Sequence, residues 1–397
     1  MRKSKFSMRE FFEKESTSGF LILISAALGL LVANSPLSET YFKILKIDFS
    51  LGSGALEVNL TVLKFINYIL MTVFFFVIGL EIKRELTTGH LASVKKALMP
   101  LLAALGGIAV PALIYLAIAG REAPGGWGVP VATDIALAIG LLAMLGSMVP
   151  ESLRSFLLGI AVIDDIVAIL IVAFVYSRGV EYSWLAVGIV IVIFIIVLQK
   201  LKIFKIWSYL VLGILLWFAL YKTGVHPTLS GVILGLLMPN IPRGIKSESS
   251  DNSVSVIEWL EQKLHPVSAF FCVPIFAFAN TGVAVNSESL SLASKSLIAC
   301  GIFLGLVVGK PIGILVTTII AAKLKAADFP QGANKSLLTA TGSAAGIGFT
   351  VAIFIAQLAF EDPALQELAV IAVIFASVVS ACISALLFRV FTSSKAK

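Results

Sequence analysis

Charge is what this sequence has least of. Only 13% of its 397 residues are Asp, Glu, Lys or Arg, against 58% hydrophobic residues and a mean hydropathy of +1.01. Soluble globular domains carry about 25% charged residues, so a water-soluble domain is excluded. Cysteine is sparse as well. Cys272, Cys300 and Cys382 each sit inside an apolar segment at no metal-ligand spacing, which excludes a disulfide framework and reads as three buried packing residues. The net charge of +7 comes from basic residues scattered over short loops rather than gathered in one stripe, and nucleic acid is therefore not the partner. No small-residue cleavage site follows the apolar run from Gly19 to Ala33. That run reads as a first membrane helix, not a signal peptide.

Long hydrophobic runs, by contrast, recur along the whole chain. At roughly 17–25 residues per crossing, hydropathy and breaker residues predict an all-α polytopic membrane protein with about twelve transmembrane helices. They fall near residues 12–34, 60–82, 96–119, 124–146, 153–176, 182–199, 205–220, 224–238, 258–285, 290–312, 335–360 and 365–390. Most of the 30 Lys and Arg residues then lie on the side of the N-terminus, and the positive-inside rule places both termini in the cytoplasm. Residues 46–59, KIDFSLGSGALEVN, alternate in part around Gly52-Ser53-Gly54 and fit either an outer β-hairpin or an irregular loop. Pro242 to Ser255 is rich in Ser and charge and reads as a cytoplasmic linker.

Four ionisable residues remain near the middle of these spans: Asp134, Asp164, Asp165 and Lys310. Each opposes insertion by roughly 2.5–3.5 kcal/mol, and the four together by on the order of 10 kcal/mol unless they share partners and water. One lysine cannot neutralise three carboxylates, so a purely structural salt bridge does not account for them. Asp164 and Asp165 project about 100° apart on a helix, which lets one hold an ion while the other meets Lys310. Deprotonated, they are hard oxygen ligands for a small cation, so protons and a cation compete for one site. Lys310 precedes Pro311, which disfavours helix there and opens backbone groups toward the site.

Two spans are crowded with helix breakers. PGGWGVPVATDIALAIGLLAML carries Pro124, Gly125, Gly126, Gly128 and Pro130 and reads as discontinuous around Val131 to Asp134. LLTATGSAAGIGFTVAIFIAQL has Gly342, Gly346 and Gly348 with Thr339, Thr341 and Ser343 in mid-span. Corresponding interruptions in two halves point to a transporter built from inverted repeats, here about 96–176 and 290–390. A broken helix leaves half-dipoles of about +0.5 and −0.5 charge inside the membrane. Asp134 is placed to compensate the positive one and Lys310 the negative one.

The stretches VATDIALAIG, GIAVIDDIVAIL, VVGKPIGI and SAAGIGFTVAIFIA, with FFFVIGLEIKREL near the start, resemble the signatures of the NhaA-type sodium/proton antiporters, in order and over nearly the whole chain. The resemblance implies a twelve-helix, inverted-repeat antiporter of the bacterial inner membrane that uses proton re-entry to expel Na⁺ and Li⁺, with no cofactor. It implies activation at alkaline pH and a role in sodium homeostasis, pH regulation and salt tolerance; because more than one proton can load two acids against one ionic charge, exchange is expected to be electrogenic. It further implies alternating access. A core bundle, 96–176 and 290–390, moves against a panel part, 12–82 and 182–285, whose hairpin at 46–59 joins two protomers into a homodimer. By the motifs, the ion-binding acids fall on Asp164 and Asp165, Asp165 being the more direct ligand and Asp164 the partner of Lys310. Thr133 and Asp134 are the Thr-Asp of the first broken helix, with Thr133 as a further ligand of the transported Na⁺ or Li⁺. The pH-sensing mouth falls on Glu81, Arg84 and Glu85 in GLEIKREL and on Glu261 and His265 in WLEQKLHP. Gln262 stands where some members have a second histidine, so the pH midpoint does not carry over. His226, in GVHPTLSG, reads as structural rather than catalytic.

Two other classes fit less well. A sodium-coupled symporter of a small organic solute also uses broken helices, but the chain has few aromatic or amide groups near its buried acids. An intramembrane aspartyl protease needs acids on separate helices across a water, which adjacent Asp164 and Asp165 do not supply.

Overall fold

The computed structural model describes residues 8–52, 54, 57–177, 179–241 and 255–393. Residues 242–254 of the expected linker and Ser53, Ala55 and Leu56 of the expected hairpin turn lie outside the described residues. The helices are α1 (Met8–Ala33), α2 (Ser38–Leu45), α3 (Val62–Thr87), α4 (Val94–Ala119), α5 (Ile135–Met144), α6 (Glu151–Phe174), α7 (Tyr182–Lys200), α8 (Ile206–Thr223) and α9 (Leu229–Leu236). There follow α10 (256–280), α11 (Ser287–Lys295), α12 (Leu297–Lys323), α13 (Lys335–Ala345), α14 (Phe349–Ala359) and α15 (Pro363–Ser393). Two strands, β1 (Asp48–Leu51) and β2 (Val58–Thr61), pair antiparallel with Phe49 opposite Leu60. The 46–59 stretch is thus a hairpin. Lys222 Nζ donates to Glu57 O at 2.7 Å and the Tyr221 hydroxyl donates to Asn59 O at 3.0 Å, tying the second strand to the end of α8.

Eight of the described helices are long and apolar enough to cross a membrane, and two bent helix pairs raise the figure to ten. The two remaining expected spans are helical but differ in kind. In 224–238 only the eight residues of α9 are helical. The first half of α10 carries Glu258, Glu261 and Lys263, too many charges for a run facing hydrocarbon on all sides. Its start is fixed by a capping box in which Ser255 and Glu258 satisfy each other's backbone N–H groups.

The chain divides into two compact units. One comprises Met1–Glu39, His90–Ala168 and Asn280–Lys397, the other Thr40–Gly89 and Ile169–Ala279. Helix α1 groups with the first unit, where it packs on α5. In the second unit Phe76, Leu80, Ile195, Leu198, Tyr209, Leu234, Ile257 and Leu260 form a common core from α3, α7, α8, α9 and α10. A cavity of about 370 Å³ in the same unit is lined by Thr72, Phe76, Ile214, Trp217, Ser230 and neighbours, and it contains no ionisable group.

The structure differs from the sequence expectation at two places. Cys272 is buried, but Cys300 and Cys382 are exposed. A membrane helix presents apolar residues outward as readily as inward, so hydrophobic context does not report burial. Lys310 is also helical despite preceding Pro311, and α12 begins at Leu297 and runs on to Lys323 rather than ending near 312. The strain falls one turn earlier, as a π turn over Gly305–Gly309 in which the Lys310 N–H reaches Gly305 O.

Helices α4 and α12 touch backbone to backbone. A Cβ on Gly313 would collide with the Gly106 carbonyl, and one on Gly106 would meet Gly313 O and Thr317. Small residues at such a crossing allow dispersion contacts that larger ones prevent. Gly106→Leu is therefore expected to destabilise the bundle by roughly 1–3 kcal/mol or more, measured as earlier loss of monodisperse protein on heating in detergent. Leu105→Ala, on the exposed side of the same helix, should lack that effect.

Candidate functional site

Two helix interruptions place the other groups of the site. Residues 124–131 form a short 3-10 stretch, after which Ala132 (φ −73°, ψ 149°) and Asp134 (φ −84°, ψ 103°) are extended. Proline at 130 lacks the N–H that a regular helix needs. Helix α5 restarts at Ile135 with Asp134 as its N-cap, Oδ1 accepting the Leu137 N–H at 3.1 Å. The second interruption is residues 346–348, where α13 and α14 meet at a 51° bend. Gly346 is glycine for a steric reason: a Cβ there would lie 2.5 Å from Leu306 O.

Each interruption satisfies the other. The Asp134 N–H donates to Ile347 O at 2.7 Å, and the Thr133 hydroxyl lies 2.9 Å from Ala345 O. In return the Thr350 N–H donates to Asp134 Oδ2 at 3.0 Å, and the Thr350 hydroxyl bonds the same oxygen. Asp134 thereby faces the N-terminal ends of both α5 and α14, two positive half-dipoles. Lys310 serves the negative end, donating from Nζ to Val131 O at the close of the 3-10 stretch.

The same ammonium binds Asp164 Oδ2 at 2.6 Å, with both side chains fully buried. Thr133 Oγ1 donates to that oxygen at 2.7 Å. The other oxygen, Asp164 Oδ1, is buried and has no hydrogen-bond partner. Asp165 is also buried, on the next position of α6. Asp134, Asp164, Asp165, Thr133 and Lys310 all belong to the first unit, three carboxylates with one ammonium among them. No group of three or more His, Cys, Asp and Glu suited to a metal occurs among the described residues. The donor set here is mixed: carboxylate, hydroxyl and peptide oxygens, which suit a small hard monovalent cation.

The residues of the expected mouth form a separate cluster in the second unit. Arg84 Nε contacts both carboxylate oxygens of Glu261, at 2.9 and 3.2 Å, and an Nη of Arg84 meets Glu85 Oε1 at 2.9 Å. Glu85 and Glu261 are buried, and Glu81 is half-buried on the same helix as Arg84. His265 lies one turn beyond Glu261 on α10. His226 is buried with Nδ1 2.6 Å from the Thr228 hydroxyl, edge-on to the Tyr68 ring. The sequence reading missed Thr350, and it had no means of finding the Val131, Ala345 and Ile347 carbonyls, since every residue has one.

A polytopic bundle in which two broken helices meet beside buried carboxylates and a buried lysine is a secondary transporter of the inverted-repeat class, not an enzyme. The sequence profile described as Na+/H+ antiporter 1 matches residues 9–388. The chain is 42% identical over 387 residues to the Na(+)/H(+) antiporter NhaA 1 of Klebsiella pneumoniae subsp. pneumoniae, covering 96% of each chain. It is 37% identical over 390 residues to the Na(+)/H(+) antiporter NhaA 1 of Clostridium beijerinckii, covering 98% of this chain and 96% of that one. Against the Na(+)/H(+) antiporter NhaA 2 of Shewanella denitrificans it is 42% identical over 362 residues, covering 90% and 89%. The chain belongs to the Na+/H+ antiporter 1 family.

The buried pair gives a stability prediction. Lys310→Ala removes the only ammonium bonded to Asp164 among the described residues and is expected to destabilise the protein by about 3–5 kcal/mol. Adding Asp164→Asn should recover most of that loss, as read from paired thermal unfolding curves in detergent.

Proposed function

We propose that this chain is an electrogenic antiporter that expels cytoplasmic Na⁺ or Li⁺ in exchange for external protons. Asp164 and Asp165 release protons toward the cytoplasm and bind the dehydrated cation, with Thr133 as an additional oxygen ligand. The loaded site is then exposed to the other side, where protons displace the ion. Asp134 and Lys310 hold the half-dipoles that frame the site. The observation that carries this reading is the unpartnered Oδ1 of buried Asp164, on a carboxylate whose other oxygen is already held by Lys310 and Thr133. A buried carboxylate oxygen needs a proton or a cation. More than one proton can load the two acids against a single sodium charge, so each cycle moves net charge.

The protein works as a multi-pass component of the bacterial inner membrane with both termini in the cytoplasm, in keeping with the distribution of Lys and Arg. The helix triples 96–176 and 290–390 carry the site, and of the panel part expected at 12–82 and 182–285, α1 packs instead on α5 in the site-bearing unit. The cluster of Glu81, Arg84, Glu85, Glu261 and His265 tunes activity toward alkaline pH, since acids, an arginine and a histidine at one mouth gather cations and respond between about pH 6 and 8. Lipid surrounds the exposed apolar face of α7, which includes Ile189, Val190, Ile193 and Phe194. Two copies pair through the 46–59 hairpin, whose two-stranded sheet has an unpaired edge on each strand among the described residues, a template that a second copy extends.

The test is reconstitution. Purified protein in proteoliposomes is expected to move protons against an imposed sodium gradient and to generate a voltage, while Asp165→Asn protein is inactive. Vigorous proton flux through Asp165→Asn, or voltage-free exchange, would sink the scheme, and sodium-dependent uptake of an organic solute would favour the symporter. Replacing residues 48–61 by a short glycine linker should convert the dimer to a monomer in detergent; an unchanged oligomer by light scattering would reject the hairpin contact.

A further inference from the structure

We infer that Thr350 is a positioning residue for ion exchange, acting on Asp164 through Asp134 and Thr133; the inference rests on the ion-exchange reading of that site. The start of α14 needs acceptors for its first backbone N–H groups. Two are supplied: Ser377 Oγ accepts the Phe349 N–H at 3.2 Å, and Asp134 Oδ2 accepts the Thr350 N–H at 3.0 Å. The Thr350 hydroxyl adds a further bond to the same Asp134 oxygen. This second bond does nothing for the helix end, whose N–H is already satisfied. Its effect is on Asp134, a carboxylate only 2% exposed, which it fixes against α14.

Asp134 is peptide-bonded to Thr133, and there the fixing has a chemical consequence. The Thr133 hydroxyl has one proton and two acceptors within reach, Asp164 Oδ2 at 2.7 Å and Ala345 O at 2.9 Å. When Asp164 is an anion without a cation, the proton points to Asp164. When a cation is bound, the proton turns to Ala345 O and the hydroxyl oxygen presents its lone pairs to the ion. A hydroxyl serves both states only if the Thr133-Asp134 backbone stays in register with residues 345–350. Three contacts across the interruptions keep that register: Asp134 N–H to Ile347 O, Thr350 N–H to Asp134, and the Thr350 hydroxyl to Asp134. Of these, only the last is made entirely by side chains, so it can be removed without altering the backbone.

Thr350→Val keeps the shape and the N–H and removes the hydroxyl. Sodium-dependent exchange in proteoliposomes is expected to show a KM for Na⁺ raised roughly three- to tenfold, the factor one hydrogen bond contributes, with kcat within about twofold of the unsubstituted protein. Thr350→Ser restores the KM. Thr350→Cys, a weaker donor, gives an intermediate value and decides the matter where Thr350→Val does not assemble. Ser377→Ala removes a polar contact at the same helix end without touching Asp134; it lowers the unfolding temperature and leaves the KM unchanged. An unaltered KM in both Thr350→Val and Thr350→Cys, or an equal rise in Ser377→Ala, would overturn the assignment. Absence of sodium-driven exchange in the unsubstituted protein would instead reject the antiporter reading beneath it.

Discussion

Backbone N–H and C=O groups have nowhere to go in hydrocarbon, and this constraint governs the first unit. A helix interrupted in mid-membrane exposes several such groups, each unfavourable by several kcal/mol if left unpaired. Here two helices are interrupted and meet so that the orphaned groups of one are bonded by those of the other. Ile347 O, Ala345 O and the Thr350 N–H all find partners on residues 133 and 134. The groups left over are end charges of the half-helices, and those are what Asp134 and Lys310 answer. The site is therefore a by-product of satisfying backbone, with side chains recruited to dipoles that the break had already created.

The remaining electrostatics follow from an imbalance. The one buried ammonium among the described residues, Lys310, bonds Asp164, while Asp134 is held by backbone and hydroxyl donors, and Asp164 keeps a second buried oxygen without a hydrogen-bond partner. A structure that sought only stability would pair its charges evenly or replace them with apolar residues. Unequal pairing leaves room for a mobile positive charge, and protons and sodium ions are the ones at hand.

Much of this was legible from the amino acids, and for identifiable reasons. Glycine also packs membrane helices, as Gly106 and Gly313 do here, but the clustering of Pro124, Gly125, Gly126, Gly128 and Pro130 in one span and of Gly342, Gly346 and Gly348 in another marked the interruptions. Charged residues have few roles in mid-membrane, and Asp134, Asp164, Asp165 and Lys310 stood out from an apolar background. Hydropathy could not tell inward from outward faces, which is why Cys300 and Cys382 were misplaced. It also could not see that α12 absorbs Pro311 through a π turn, since that depends on neighbours that accept a wider helix. Thr350 was invisible because threonine in a membrane helix ordinarily bonds its own preceding turn; only the crossing reveals that it reaches Asp134 instead.

Reciprocal satisfaction of the two interruptions also limits how such a bundle can be altered by descent or by design. Lengthening the gap after Val131 by one residue would rotate Thr133 and Asp134 away from Ile347 and Thr350, and no change within the first repeat alone could repair it. The halves must vary in concert, as a lock and a key cut on the same blank. Transplanting a single broken helix into an unrelated bundle would carry over the unpaired groups without their remedy.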